Sequence, residues 1–221
     1  MFKKGFTLAE VLVTLGIVGV VAAMTLPSLR SNAQAQSVGP KLAKAMATLE
    51  LANKALLRSE DVESISEGAL LSTYDNYFNK LSNNMHIVSF NYNVEPEQAD
   101  LSDYASITKE NAFLSKEGFV YFITPMDTDY IDMNLPPHKR KIGYVFVDIN
   151  GLAKPNKGAV DIFHFTMWDD GSLRPVGGNE WDGNSNDVTW RTSCKIDKDP
   201  SDRAYCTGHI FENNLKVRYK M

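Results

Sequence analysis

Residues 1–29 read MFKKGFTLAEVLVTLGIVGVVAAMTLPSL, a basic stub followed by a glycine, one carboxylate and a long apolar run. No residue from Val11 to Leu29 carries a charge, and a helix of that length rises about 28 Å, close to the hydrocarbon thickness of a bilayer. Lys3 and Lys4 precede the run and Arg30 follows it. This charge order predicts a membrane-spanning helix with its amino terminus in the cytoplasm and everything beyond Arg30 outside.

Glu10 is the one acidic side chain in this stretch. A carboxylate at the mouth of a membrane helix is costly in lipid and therefore calls for a partner. The alternative is that Glu10 lies at headgroup level and snorkels there without one. Further along the run, Gly19 and Ala23 form a pair of small residues at helical spacing, which lets two helices approach closely.

The motif GFTLAE at residues 5–10, followed by an apolar helix, resembles the processing signal of type IV pilins and type II secretion pseudopilins. The resemblance implies that a prepilin peptidase cuts between Gly5 and Phe6 and methylates the new amine of Phe6. It also implies that Glu10 faces the Phe6 amine of a neighbouring subunit in a filament, so that the two buried charges neutralise each other. In that family a proline at the place of Pro27 accompanies a kink or local melting of the helix.

The chain is expected to divide into a leader (residues 1–5), a transmembrane helix (6–29), an amphipathic stalk helix (30–58) and a globular head (59–221). Along the stalk, apolar residues recur at steps of three and four, which places them on one helical face. They are Val38, Leu42, Ala45, Leu49, Ala52 and Leu56. This stripe is expected to pack on the head, and Gly39-Pro40 is expected to bend or briefly interrupt the helix.

Residues 1–58 carry a net charge of +5 and residues 59–221 carry a net charge of −9. No basic stripe for nucleic acid is therefore predicted on the head.

The head begins with a predicted helix over residues 66–81 and continues as short strands. Runs rich in β-branched and aromatic residues occupy 119–123, 143–147 and 162–167, and such runs are typical of sheet. Asp169-Asp170-Gly171 fits a hairpin turn. An antiparallel meander covered on one face by the stalk gives an α+β architecture, which is also the pilin-like fold that the resemblance implies.

The two cysteines, Cys194 and Cys206, lie near the carboxyl terminus. In a head exported from the cytoplasm a disulfide between them is the expected state. Such a loop resembles the carboxyl-terminal disulfide region of many pilins, although many pseudopilins lack one.

Candidate chemistry in the head is sparse. Asp148, Asn150, Asn156 and Asp161 gather oxygen ligands of the kind that calcium prefers, but Asx residues in a turn also cap backbone groups without a metal. The alternation around His164 predicts an outward-facing position on its strand. Neither a metal site, a cofactor nor a catalytic motif is assigned, so an enzyme is not predicted.

The sequence therefore predicts a pilin-like structural subunit of a type II secretion pseudopilus or type IV pilus, anchored in the bacterial inner membrane with its head periplasmic or extracellular. Its expected partners are prepilin peptidase, other pilin or pseudopilin subunits and membrane lipid. One alternative is a minor tip pilin that binds a ligand through a surface bearing Trp168, Trp181 and Trp190. More often, aromatic residues among turns simply cover the edge of a core. A membrane-tethered enzyme comes third.

Overall fold

The computed structural model describes residues 7–67, 74–90, 112–126, 131–151, 153–177, 194 and 203–217. In this part of the chain a helix of 53 residues, α1 (Leu8–Glu60), is followed by a short helix α2 (Tyr74–Ser82) and by the strands β1 (Ile87–Phe90) and β2 (Ala112–Ser115). The remaining elements are β3 (Val120–Pro125), a 3-10 turn (Pro137–Lys139), β4 (Lys141–Asp148), β5 (Ile162–Trp168), β6 (Leu173–Pro175) and a closing helix α3 (Cys206–Glu212).

The strands form one antiparallel six-stranded sheet in the order β1-β2-β3-β4-β5-β6. The predicted hairpin turn joins β5 to β6, and Gly171 supplies the positive φ of 80° that it requires. The α+β, pilin-like fold predicted from the sequence is confirmed.

The main core lies between α1 and one face of the sheet. All six residues of the predicted stalk stripe are buried there, from Val38 to Leu56, together with the inward-facing residues of the strands. The Tyr121 hydroxyl donates to the carbonyl oxygen of Ala45 at 3.0 Å, which fixes β3 against the helix. The amphipathic pattern of the stalk is thus satisfied within the chain's own head.

The stalk helix is not interrupted at Gly39-Pro40, because α1 runs unbroken through both residues. Gly39 has a packing role instead. A Cβ at this position would collide with the backbone carbonyl of Leu215, so glycine allows the carboxyl-terminal turn to lie directly on the helix. Pro27 also lies within α1, and a kink there stays a prediction.

Two predictions about the head need correction. A helix was predicted over residues 66–81, but among the described residues it begins only at Tyr74. Ser66 lies in a turn and donates its backbone N–H to the Asp169 carboxylate at 2.7 Å. His164 is buried rather than outward-facing, because the ring of Phe146 on the neighbouring strand stacks on it at 4.1 Å. The second face of the sheet is therefore buried here as well, around the cluster that contains Phe146, Phe122 and Val120, and burial lowers the pKa of His164 to about 3.

Candidate assembly site

The first 19 residues of α1, Leu8–Leu26, are long and apolar enough to cross a membrane, and none of them is buried. Their large side chains are mostly more than half exposed, with Leu8 at 80% and Leu15 at 64%. Burial along the described part of α1 begins only at Val38. The helix therefore has two halves, one packed on the head and one that offers apolar surface to something outside the chain.

The polar side chains of this free half are bonded within the helix. The Thr14 hydroxyl donates to the carbonyl of Glu10 at 2.9 Å, and the Thr25 hydroxyl donates to the carbonyl of Val21 at 3.0 Å. In lipid a polar group without a partner costs several kcal/mol, so such internal bonds suit a helix that lies in a bilayer.

The helix begins with a capping box that sequence reasoning missed. Thr7 is the N-cap, and its hydroxyl oxygen accepts the N–H of Glu10. The Glu10 carboxylate in turn accepts both the N–H and the hydroxyl of Thr7 at 2.8 Å. The pattern of threonine followed three residues later by glutamate could have revealed this arrangement. Both bonds end on Oε2, so the cap does not need the second carboxylate oxygen, Oε1.

Gly16 and Gly19 have no packing role within the described chain. A Cβ built at either position would meet no atom within 4 Å. Glycine in a helix interior costs roughly 1 kcal/mol relative to alanine. Close approach of another helix is the ordinary reason for such residues in a membrane.

Of the other predicted site residues, Gly5 and Phe6 lie outside the described residues. Cys194 and Cys206 form the expected disulfide, with their Cα atoms 4.7 Å apart. Cys206 is fully buried at the start of α3. Next to it, the Thr207 hydroxyl oxygen accepts the backbone N–H of His164 at 2.9 Å. The bridge thus fastens residue 194 to the helix that packs on β5.

The oxygen-rich turn between β4 and β5 caps itself. The Asp161 carboxylate accepts the Asn150 side-chain amide at 3.0 Å and the backbone N–H groups of Asn156 and Lys157 at 2.9 and 2.6 Å. Asp148 accepts the N–H of Asn150 at 2.9 Å. Within the described residues no group of three or more His, Cys, Asp or Glu side chains is suited to hold a metal ion.

The same turn is electrostatically unusual. Burial, with a smaller contribution from the charge of Asp161, raises the pKa of Asp148 to about 8. Burial also raises the pKa of Asp161. Two further acceptors of the turn, Asn150 Oδ1 and Asn156 Oδ1, are buried without a hydrogen-bond partner in the described chain. The turn is thus rich in acceptors, which favours a protonated carboxyl group.

Of the three tryptophans considered for a ligand surface, only Trp168 is described, and it is buried. Its indole N–H donates to the Thr166 hydroxyl at 3.0 Å, and the Arg174 guanidinium lies 3.8 Å from its ring centroid. Trp168 therefore belongs to the core edge. Trp181 and Trp190 lie outside the described residues.

Residues 1–26 match the prokaryotic N-terminal methylation motif, the signal of type IV pilins and pseudopilins. The resemblance of the amino terminus is thereby confirmed. No curated protein and no solved structure matches this chain. The motif implies processing by prepilin peptidase and assembly with other pilin subunits, and it indicates a structural subunit rather than an enzyme.

Proposed function

We propose that this chain is a structural subunit of a type II secretion pseudopilus or type IV pilus that serves protein secretion. Prepilin peptidase removes residues 1–5 and methylates Phe6. The apolar half of α1 then holds the subunit in the inner membrane, with the amino terminus in the cytoplasm and the head outside. The observation that carries this proposal is that the methylation motif, residues 1–26, includes Leu8–Leu26, a helix segment with no buried residue.

Glu10 sets the register between subunits in this proposal. The amine of Phe6 on one subunit lies beside the Glu10 carboxylate of the next, so that each charge is neutralised in a low-dielectric bundle. The capping box holds Glu10 at the helix start through Oε2. Oε1 is therefore available to accept the neighbour's amine while the cap stays intact.

The test compares Glu10→Ala with Thr7→Ala in full-length protein made in cells that contain the peptidase. Glu10→Ala removes both the cap and the register charge, whereas Thr7→Ala removes only the cap hydroxyl. We expect both variants to insert in the membrane and to lose the leader, as read by mass spectrometry of the amino terminus.

Only Glu10→Ala should then fail to enter large assemblies recovered by sedimentation. Normal assembly of Glu10→Ala would remove the register role. Equal loss in both variants would assign the defect to the cap instead.

The second candidate is a minor tip pilin that binds a ligand. It is favoured by the disulfide, which ties residue 194 to the buried start of α3 and so closes a loop whose sequence is mostly polar. Quantitative mass spectrometry of isolated filaments separates the two candidates. A major subunit will outnumber the other pilins, whereas a tip subunit will be present at one or a few copies per filament.

A further inference from the structure

A groove of about 600 Å³ lies where the carboxyl-terminal turn meets the stalk, and we call it the base groove. It is lined by Ala35, Gln36 and Pro40 of α1 and by residues 214–217. Leu215 and Val217 are half-buried and pack against the main core. The floor of the groove is therefore apolar and is part of the folded head.

The backbone around this groove is held in an uncommon conformation. Leu215 has a φ of 60°, which a leucine rarely adopts, and its N–H donates to the carbonyl of Ile210 at 2.9 Å. Gly39 lets this turn lie against α1 without a collision. Strained backbone of this kind persists where the surrounding structure enforces it, and it is often found at binding surfaces.

The opposite end of the head carries a second feature, the tip loop, which we define as residues 131–140. A chain of contacts ties this loop to the far end of α1. Arg140 donates to Met133 Sδ at 3.4 Å and pairs with Asp169 at 3.0 Å, while Asp169 accepts the N–H of Ser66 at 2.7 Å. Gly39 and Glu60, the last residue of α1, are 21 residues apart, a helical rise of about 32 Å. Because Ser66 follows the end of α1 closely, the tip loop lies at about this distance from Gly39 along the helix axis.

The tip loop exposes two large apolar side chains. Met133 is 56% exposed and Leu135 is 40% exposed, on either side of Asn134. Asp132 accepts the N–H of Asn134 at 3.0 Å, which gives this segment a defined turn. The loop therefore presents a small apolar knob with an acidic neighbour.

The charges at the two ends are complementary. Around the base groove the exposed cations are Lys41, Lys44 and Lys216, and Lys44 shares a helix face with Pro40. The cations at the tip end of the head are Arg58, Lys80 and Lys139, and the exposed carboxylates there outnumber them. These carboxylates are Glu60, Asp61, Glu63, Glu67 and Asp132.

We propose that the base groove of one subunit receives the tip loop of a second copy of this chain. Met133 and Leu135 cover the floor formed by Leu215 and Val217, and Asp132 faces Lys44. Because the two surfaces differ, the contact is heterologous and repeats into an open filament rather than closing into a dimer. This inference rests on the proposed function, which supplies the parallel arrangement of subunits.

A lipid headgroup would share the attraction to the basic groove, but its position disfavours it. Ala35 lies six residues beyond Leu29, the last residue of the uncharged run, a helical rise of about 9 Å. The polar layer on each side of a bilayer is only about 5 to 7 Å thick. The groove is therefore placed to meet protein rather than the membrane surface.

The test is cysteine cross-linking of the full-length chain in membranes of cells that contain the peptidase. The paired variant Ala35→Cys/Leu135→Cys places one thiol in the groove and one on the tip loop. Mild oxidation should give a ladder of dimers, trimers and higher multiples on non-reducing gels. Neither single variant should give one. The matched control is Leu51→Cys/Leu135→Cys, since Leu51 is exposed on α1 away from the groove.

A charge exchange tests the orientation. Lys44→Glu should lower the ladder yield by about two- to fivefold, the effect of a surface ion pair, and adding Asp132→Lys should restore it. A ladder no stronger than that of the Leu51 control would overturn the proposal. If the wild-type chain still sediments as large assemblies, the proposed function stands without this contact. If it does not, the proposed function itself fails.

Two other occupants of the base groove can be recognised from the labelling of the thiol in the single variant Ala35→Cys, and either result would overturn the proposal. Protection of the introduced thiol from a water-soluble maleimide in membranes but not in detergent would assign the groove to lipid headgroups. Protection that persists in detergent and is lost on deletion of residues 218–221 would assign it to the chain's own carboxyl terminus.

Discussion

At the scale of single residues, Asp148 is a buried carboxyl group whose pKa is strongly raised. It is 3% exposed, and its pKa is raised to about 8 against an ordinary value of 3.8. Between these two values the folded chain holds a proton that the unfolded chain has lost. Stability must therefore fall as the pH rises from about 4 to 8, by up to roughly 1.4 kcal/mol per pH unit for one proton.

Asp148→Asn should flatten this slope, because the amide stays neutral in both states and can still accept the N–H of Asn150. Thermal unfolding of the full chain in detergent, followed from pH 5 to 8, measures the change. Part of the slope will remain, since the pKa of Asp161 is raised as well. The control is Asp132→Asn, because Asp132 makes the same bond two residues ahead but is exposed. An unchanged slope in Asp148→Asn would contradict the assignment.

Single residues differed in how far the sequence could predict them. Cys194 and Cys206 could be predicted as a pair because they are the chain's two cysteines and the head was expected to lie outside the cytoplasm. His164 could not be placed, because alternation separates the two faces of a strand but does not say whether the second face is exposed or buried, and both His164 and its cross-strand neighbour Phe146 are buried there. The role of Glu10 in the helix cap was predictable from the sequence, because Thr7 stands three residues before it, as a capping box requires.

At the scale of elements, Asn53 joins three of them. It lies fully buried in α1, where its amide nitrogen donates to the carbonyl of Gly171 at 3.1 Å and its oxygen accepts the Tyr77 hydroxyl at 2.7 Å. The stalk, the β5–β6 turn and α2 thus meet at one side chain. Burial raises the pKa of Tyr77, so its hydroxyl remains a donor across the physiological range.

Asn53→Ala should destabilise the chain by about 2 to 4 kcal/mol, because it leaves two buried polar groups without this partner. Tyr77→Phe removes one of the two bonds and should cost about 1 to 2 kcal/mol. The double variant should cost less than the sum, since the two residues share a bond. Denaturant unfolding gives these values, with the exposed neighbour Lys54→Ala as the control. Strict additivity would show that the bond between Asn53 and Tyr77 contributes little.

Elements with a clear period were predictable, and those defined by pairing were not. The stalk stripe repeats over five turns and all of its residues are buried. The central strands β3, β4 and β5 are apolar on both faces and stand out in the sequence. By contrast, β1 and β2 have four residues each and were missed. β2 pairs with β3 and β1 pairs with β2, so their strand character depends on hydrogen bonds to the neighbouring strand more than on their own composition.

At the scale of the whole molecule, the head is fastened to the stalk at both ends. Asn53 and the contact of Asp169 with Ser66 hold the end far from the membrane segment, while Gly39 and the turn at Leu215 hold the near end. The free half of α1 then extends beyond the near end. A subunit of this shape can be added to a filament through its free helix, which carries the longest run of exposed large apolar side chains among the described residues.

The disulfide between Cys194 and Cys206 should hold α3 in place and stabilise the whole head. Closing a loop of this length restricts the unfolded chain by about 3 kcal/mol in the chain-entropy model. Replacing both cysteines by serine should therefore lower the free energy of unfolding by a similar amount. Reductant should lower the free energy of unfolding equally in the wild-type chain and have no effect on the double variant, which serves as the control.

Hydrogen exchange tests the same bridge locally. Because Thr207 connects α3 to β5 through His164, exchange should rise first at the His164 amide when the bridge is removed. A wild-type chain whose stability is unchanged by reductant would show that packing of α3, rather than the bridge, holds this end of the molecule.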